Sequence, residues 1–153
     1  MRRIKFTLDT VDAAIRELKE YKKEFERKAA ALLQRLVEEG VRIAVEEAPS
    51  DFGDLKASIS GSVEGGKGVI RVGEPYAVYV ELGFGARGAR SPHPEISVQY
   101  DVNSHGEQGW VYYDKKRKEY RRSRGEPANP FLYRTARRLE SRAAEIAKEV
   151  FEG

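Results

Sequence analysis

The chain is predicted to fold as an α+β domain with a long N-terminal helix, a small antiparallel sheet built from hairpins, and a C-terminal helix. Three observations predict it. Val11, Leu18, Phe25 and Leu32 recur every seven residues, flanked by Ile15, Ala29, Leu36 and Ile43; this is the period of an amphipathic helix. The middle of the chain holds short β-rich runs separated by turn residues. Leu132, Ala136, Leu139, Ala143, Ile146 and Val150 then step by four and three to the end. Helices at both ends of a strand-rich centre give an α+β order.

At 153 residues without a cysteine, the chain reads as one domain, 1–153, large enough to bury a core without metal or disulfide. Met-Arg-Arg-Ile-Lys-Phe has no apolar run behind its charges, so no signal peptide is expected. No window approaches the apolar length of a membrane span. A soluble, cytoplasmic chain with no membrane partner is the expectation. Net charge is +3, but Lys115–Arg124 holds seven bases against the single acid Glu119. The remainder is therefore slightly acidic, and the positive charge is a local feature.

Taken in order, Arg2–Leu8 reads as a short strand or arm. Asp9 or Thr10 caps the helix that follows, which should run over 10–48 and stop before Pro49. Unbroken, it would be about 58 Å long, against a diameter of roughly 40 Å for a compact chain of this size. It must bend, with Gly40 the weak point, or overhang onto a neighbour, and some of each is expected. Pro49–Asp54 is turn chemistry. Leu55–Val63 and Gly68–Val72 read as strands joined by Glu64-Gly-Gly-Lys67. Pro75–Gly83 is the densest apolar run. Tyr76, Val80 and Gly83 share a helical face, so a short core helix is favoured, although its β-branched and aromatic content argues equally for a buried strand. Gly85–Pro94 reads as an irregular loop and Ile96–Val102 as a further strand. The region 55–124 is thus sheet and loops. It includes a basic hairpin, 109–124, whose arms are Gly109–Asp114 and Glu119–Arg122. Pro130 opens the second helix, 130–152, and Phe131 is its anchor.

Gly83-Phe-Gly-Ala-Arg-Gly88 matches G-x-G-x-x-G, but Ala-Arg-Ser-Pro-His-Pro follows it instead of the helix that holds a pyrophosphate. Its glycines read as sharp turns or close backbone approaches, and no cofactor is expected. His93 and His105 read as surface loop residues, and no metal site is expected. Glu81, with Asp101 or Asp114, has the makings of an acid pair. One acid in an apolar run reads better as a salt-bridged or subunit-contact residue. No nucleophile elbow or thiol is present, and an enzyme is not expected. Lys115, Lys116, Arg117, Lys118, Arg121, Arg122 and Arg124 interleave with Trp110, Tyr112, Tyr113 and Tyr120. Cations contact phosphates and aromatic faces stack on bases; a solvated hairpin packing its aromatics on a sheet is the equal alternative.

Three segments together resemble one phage family. They are Ala48-Pro-Ser-Asp-Phe-Gly-Asp-Leu-Lys-Ala-Ser-Ile59, Tyr76-Ala-Val-Tyr-Val-Glu-Leu-Gly83 and Gly125-Glu-Pro-Ala-Asn-Pro-Phe-Leu-Tyr-Arg-Thr-Ala136. In order and spacing, with their flanking helices, they are similar to the neck, or tail-completion, proteins of HK-type long-tailed phages and prophages, also described as tail components or minor structural proteins. The resemblance covers about residues 10–152. Phe52 and Phe84 stand where the family usually has threonine.

The resemblance implies a non-enzymatic part of the head-to-tail junction, in an α+β fold related to tail terminators. It also implies a homo-oligomeric ring, a hexamer favoured over a dodecamer. That ring would contact adjacent connector and tail proteins and surround DNA without reading its sequence. The location implied is the virion, after assembly in the host cytoplasm. Tyr76, Val80, Glu81, Gly83, Pro130 and Phe131 are then the core or subunit-interface motif, and Lys115–Arg124 is the surface for nucleic acid or a partner. A nucleic-acid-binding module acting through the basic hairpin alone is the rival, and salt-sensitive binding by the monomer would favour it.

Overall fold

The computed structural model describes residues 8–51, 53–97 and 106–153. Helix α1 spans Leu8–Glu47 and the short α2 spans Gly53–Ala57. Strands β1 (Ile59–Glu64) and β2 (Lys67–Val72) form an antiparallel hairpin, with Ile59 opposite Val72 and Glu64 opposite Lys67. Short helices α3 (Ala77–Leu82) and α4 (Gly85–Arg90) follow. Strands β3 (Trp110–Asp114) and β4 (Glu119–Ser123) make a second hairpin, with Trp110 opposite Ser123. Helix α5, Phe131–Glu152, closes the chain. This is an α+β fold.

Helix α1 runs without interruption for 40 residues, which is about 60 Å. Its C-terminal half is packed and its N-terminal half projects, with Leu8, Val11, Ile15, Leu18 and Phe25 exposed. Gly40 is not a break. It is buried, and a Cβ there would lie 2.4 Å from Cδ1 of Ile70 and 3.2 Å from Cδ2 of Leu139. The missing side chain lets the first hairpin and α5 approach the helix together. Gly61 serves the same approach, since its Cβ would fall 2.4 Å from Val37 Cγ1.

Helix α5 lies antiparallel to α1, from Arg134 beside Glu47 to Phe151 beside Phe25, whose rings are 5.7 Å apart. Arginines at four-residue intervals stitch the two helices. Arg134 meets Glu47 at 2.6 Å, Arg138 meets Glu46 at 2.9 Å and Glu47 at 2.8 Å, and Arg142 meets Glu39. The core sits at the C-terminal end of α1. There Ile43, Leu55 and Phe131 are fully buried, joined by Ala44, Ala48, Ile59 and Ala77, with Tyr76, Val80 and Leu132 half-buried against them.

Several boundaries differ from the sequence reading. Leu55 belongs to α2, where its spacing from Ala48 and Ile59 turns it into the core, so the first strand begins four residues later than expected. The hairpins form two separate two-stranded sheets instead of one. Gly85–Arg90 is helical inside the expected loop. The buried face of α5 follows Phe131, Thr135 and Ile146, and Ala136 is exposed. Ile96 and Ser97 are not strand. The rest of that expected strand, the N-terminal arm before Leu8, and His105 lie outside the described residues.

Candidate functional site

Two neighbouring features carry the chemistry: a buried acid junction at Glu81 and the basic hairpin. Glu81 is almost wholly buried, on the inward face of α3. One carboxylate oxygen accepts the Leu132 amide at 2.9 Å and the other accepts the Tyr133 amide at 2.9 Å. These are amides of the first turn of α5, which have no partner inside their own helix. A negative charge there also meets the positive end of the helix dipole. Glu81 thus caps α5 from another helix, 51 residues earlier. Asn129 N adds a backbone bond to Val80 O at 2.8 Å, and Phe131 fills the core beneath.

His93 completes the junction, which corrects the sequence reading of a surface histidine. Its ring is buried, with Nε2 3.3 Å from Glu81 Oε1. The amides of Glu95 and Ile96 both donate to Nδ1, at 3.1 and 3.0 Å. An Nδ1 that accepts places the ring proton on Nε2, facing the carboxylate. Tyr133 packs edge-on to the imidazole at 5.3 Å, and Arg137 lies over Tyr133 while bonding Glu95 at 2.8 Å. The proline-flanked segment is therefore folded back onto α5. Asp114 is not a second acid at this site, since its carboxylate serves the hairpin tip; Asp101 is outside the described residues.

The backbone around Gly83 and Gly125 joins this junction to the hairpin. Gly83 has φ +72°, and a Cβ there would meet Ala128 N at 2.5 Å. Gly125 has φ +86°, and its Cβ would collide with Phe84 O at 1.8 Å. Phe84 and Glu126 exchange backbone bonds of 3.0 Å in each direction. The Phe84 ring packs between Tyr79 and Trp110, each at 5.8 Å. A phenylalanine where the resembled family usually has threonine thus forms the apolar anchor of the hairpin base.

Beyond that base the hairpin carries its charge outward. Asp114 accepts the Lys116 amide at 2.9 Å and the Arg117 amide at 3.1 Å, and its carbonyl takes the Lys118 amide at 2.7 Å. The Arg117 amide, with the neighbouring cations behind it, holds the Asp114 carboxyl below the ordinary aspartate range. The turn therefore displays Lys115, Lys116, Arg117 and Lys118 to solvent. Arg121 reaches Asp114 and Glu119 only at 3.8 Å. Among the described residues no carboxylate stands within ion-pair distance of Lys115, Lys116, Lys118, Arg122 or Arg124. On one face Val111, Tyr113, Tyr120 and Arg122 are all exposed, and Tyr113 and Tyr120 meet edge to face at 5.2 Å. The aromatics lie beside the cations, so the face offers both charge and stacking surface.

Comparison with known proteins adds one finding. A family model described as "Bacteriophage HK97-gp10, putative tail-component" matches residues 12–83. That span takes in most of α1, the first hairpin, and α3 with Glu81 and Gly83. No curated protein and no solved structure matches the chain. Among the described residues no helix is long and apolar enough to cross a membrane. Two of the three motif blocks lie inside the matched span, and over residues 12–83 the chain is similar to the HK97 gp10-like family of phage tail components.

Proposed function

We propose that this chain is a phage tail component and a non-enzymatic ring subunit of the head-to-tail junction, surrounding the path of the DNA. The observation that carries the reading is the hairpin. Seven basic side chains sit on an anchored arm whose tip is exposed, on a body that is otherwise slightly acidic. Like charges so close repel unless solvent or phosphate screens them. In a closed ring, a hexamer or a dodecamer, one cationic arm per subunit becomes a cationic girdle. DNA passing through supplies phosphate, and phosphate contacts carry no sequence preference. The α5 junction at Glu81 fixes the arm's base, so the girdle holds its position. Connector and tail proteins above and below the ring complete the reading, with the virion as its location.

The test replaces Lys116, Arg117, Arg121 and Arg122 together with Ser and supplies the variant during particle assembly. The purified variant should fold as before, since these side chains are exposed, while the yield of joined, DNA-retaining particles falls. Normal yield of infectious particles contradicts the proposal. Tight, salt-sensitive DNA binding by the isolated wild-type monomer would favour a nucleic-acid module instead.

A further inference from the structure

The projecting half of α1 carries an apolar seam that the described residues leave largely uncovered, with only its last member, Phe25, touching α5, at Phe151. Leu8, Val11, Ile15, Leu18 and Phe25 are 80, 44, 44, 67 and 52% exposed. Their spacing alternates three and four, and the same alternation continues through Ala29, Leu32 and Leu36 into the packed half of the helix. A strict three–four alternation makes a narrow seam, which fits another helix better than a sheet. Only one seam position between Leu8 and Phe25 is polar, Lys22, whose ammonium lies 3.8 Å from Glu26.

We propose that residues 8–25 of α1 pair antiparallel with the same residues of a second copy of this chain. Lys22 decides the direction. In a parallel, in-register pair it would face its own copy across the seam, two ammonium groups in an apolar contact. In the antiparallel pair Ile15 stands opposite Leu18, Leu8 opposite Phe25, and Lys22 opposite Val11. The lysine stem then covers Val11 while its charge reaches the rim. The flanks agree: Asp12 of each helix comes beside Lys19 of the other, twice by the two-fold axis. Parallel pairing brings no such opposite charges together, because the flanking residues are then Ala14 with Lys19 and Tyr21 with Glu26. About two and a half heptads make a short contact, so the pair is weak and depends on concentration. It does not rest on the ring reading, because it concerns the free chain: neighbours in a cyclic ring meet through unlike surfaces, and a two-fold contact lies outside those interfaces.

The chain has no cysteine of its own, so cross-linking reads the geometry cleanly. Val11→Cys and Lys22→Cys proteins are mixed under mild oxidation and compared with each alone. The mixture should give a disulfide-linked pair, while each alone gives little, because like positions lie about 16 Å apart along the antiparallel helices. Sedimentation of the wild-type chain should show a monomer–dimer equilibrium in the micromolar range. Leu18→Glu, at an exposed position, should keep the thermal melt and weaken dimerisation at least about tenfold. Efficient self-linking of Val11→Cys alone would show a parallel pair and overturn the proposal. So would a wild-type monomer at hundreds of micromolar, which assigns the seam to a different tail protein, or self-association indifferent to Leu18→Glu.

Discussion

Glu81 satisfies three donors at once, and each needs a different feature of a carboxylate. Two amides of α5 require acceptors on both oxygens, and the His93 proton requires one of them again. Glutamine offers one oxygen and turns an NH₂ toward a donor. Glu81→Gln should therefore cost about 1–3 kcal/mol, the penalty for a buried donor left unpaired, read as a lower denaturant midpoint at unchanged slope. An unchanged midpoint would mean that α5 is held by packing alone. At Gly125 the obstacle is backbone against backbone. Gly125→Ala requires both a left-handed alanine and the retreat of Phe84 O. A loss of about 2 kcal/mol or more is expected, with faster hydrogen exchange at Phe84 and Glu126. Of these residues Glu81 was legible in the sequence as the one acid in an apolar run. His93 was not, because prolines and polar neighbours look like a surface loop. Its burial comes from Glu81 and Tyr133, which only the folded chain brings to it.

Between elements, the packing of α1 against α5 couples stability to pH. Hydrogen bonds from Arg134 and then Arg138 hold the Glu47 carboxyl below the ordinary glutamate range, and Arg42, with Arg142 nearby, does the same for Glu39. A carboxylate whose folded pKa is depressed adds stability fully present above its unfolded value, near 4.3. That stability is lost as pH falls through the lower folded value. Chemical melts should thus show stability level from pH 7 to about 5 and then falling on acidification. Replacing both Glu39 and Glu47 by Gln should flatten that fall; an unaltered pH profile would show that the arginine ladder is only decorative. The core beneath is apolar. Phe131→Ala should cost about 3–5 kcal/mol, because the site loses a fully buried ring, and a smaller loss would place the core elsewhere. The lengths of α1 and α5 were readable from periodicity, but the phase of α5 only in part, since Thr135 is buried and Ala136 exposed. The ladder was readable only in part: Arg134, Arg138 and Arg142 repeat every four residues, yet the acids they meet lie about ninety to a hundred positions away. Gly40 was misread as a break because propensity records what glycine costs a helix and not what its small size admits beside it.

The molecule as a whole has a packed centre and two extensions of opposite character: an apolar helix end and a cationic hairpin. The family resemblance and the outline of the fold were legible because helix periodicity and three motif blocks are local signals. The separation of the two hairpins was not, since strand pairing depends on which edges the helices leave free. The proposed ring would give the hairpin a use that a lone subunit does not, for only closure brings the arms around a common axis. The most direct measurement places a photo-activated cross-linking residue at Arg117 in subunits built into DNA-filled particles. Irradiation should join this subunit to the phage DNA, with no preference for sequence. Particles of normal yield in which Arg117 cross-links only to protein, or to nothing, would contradict a hairpin that faces the DNA.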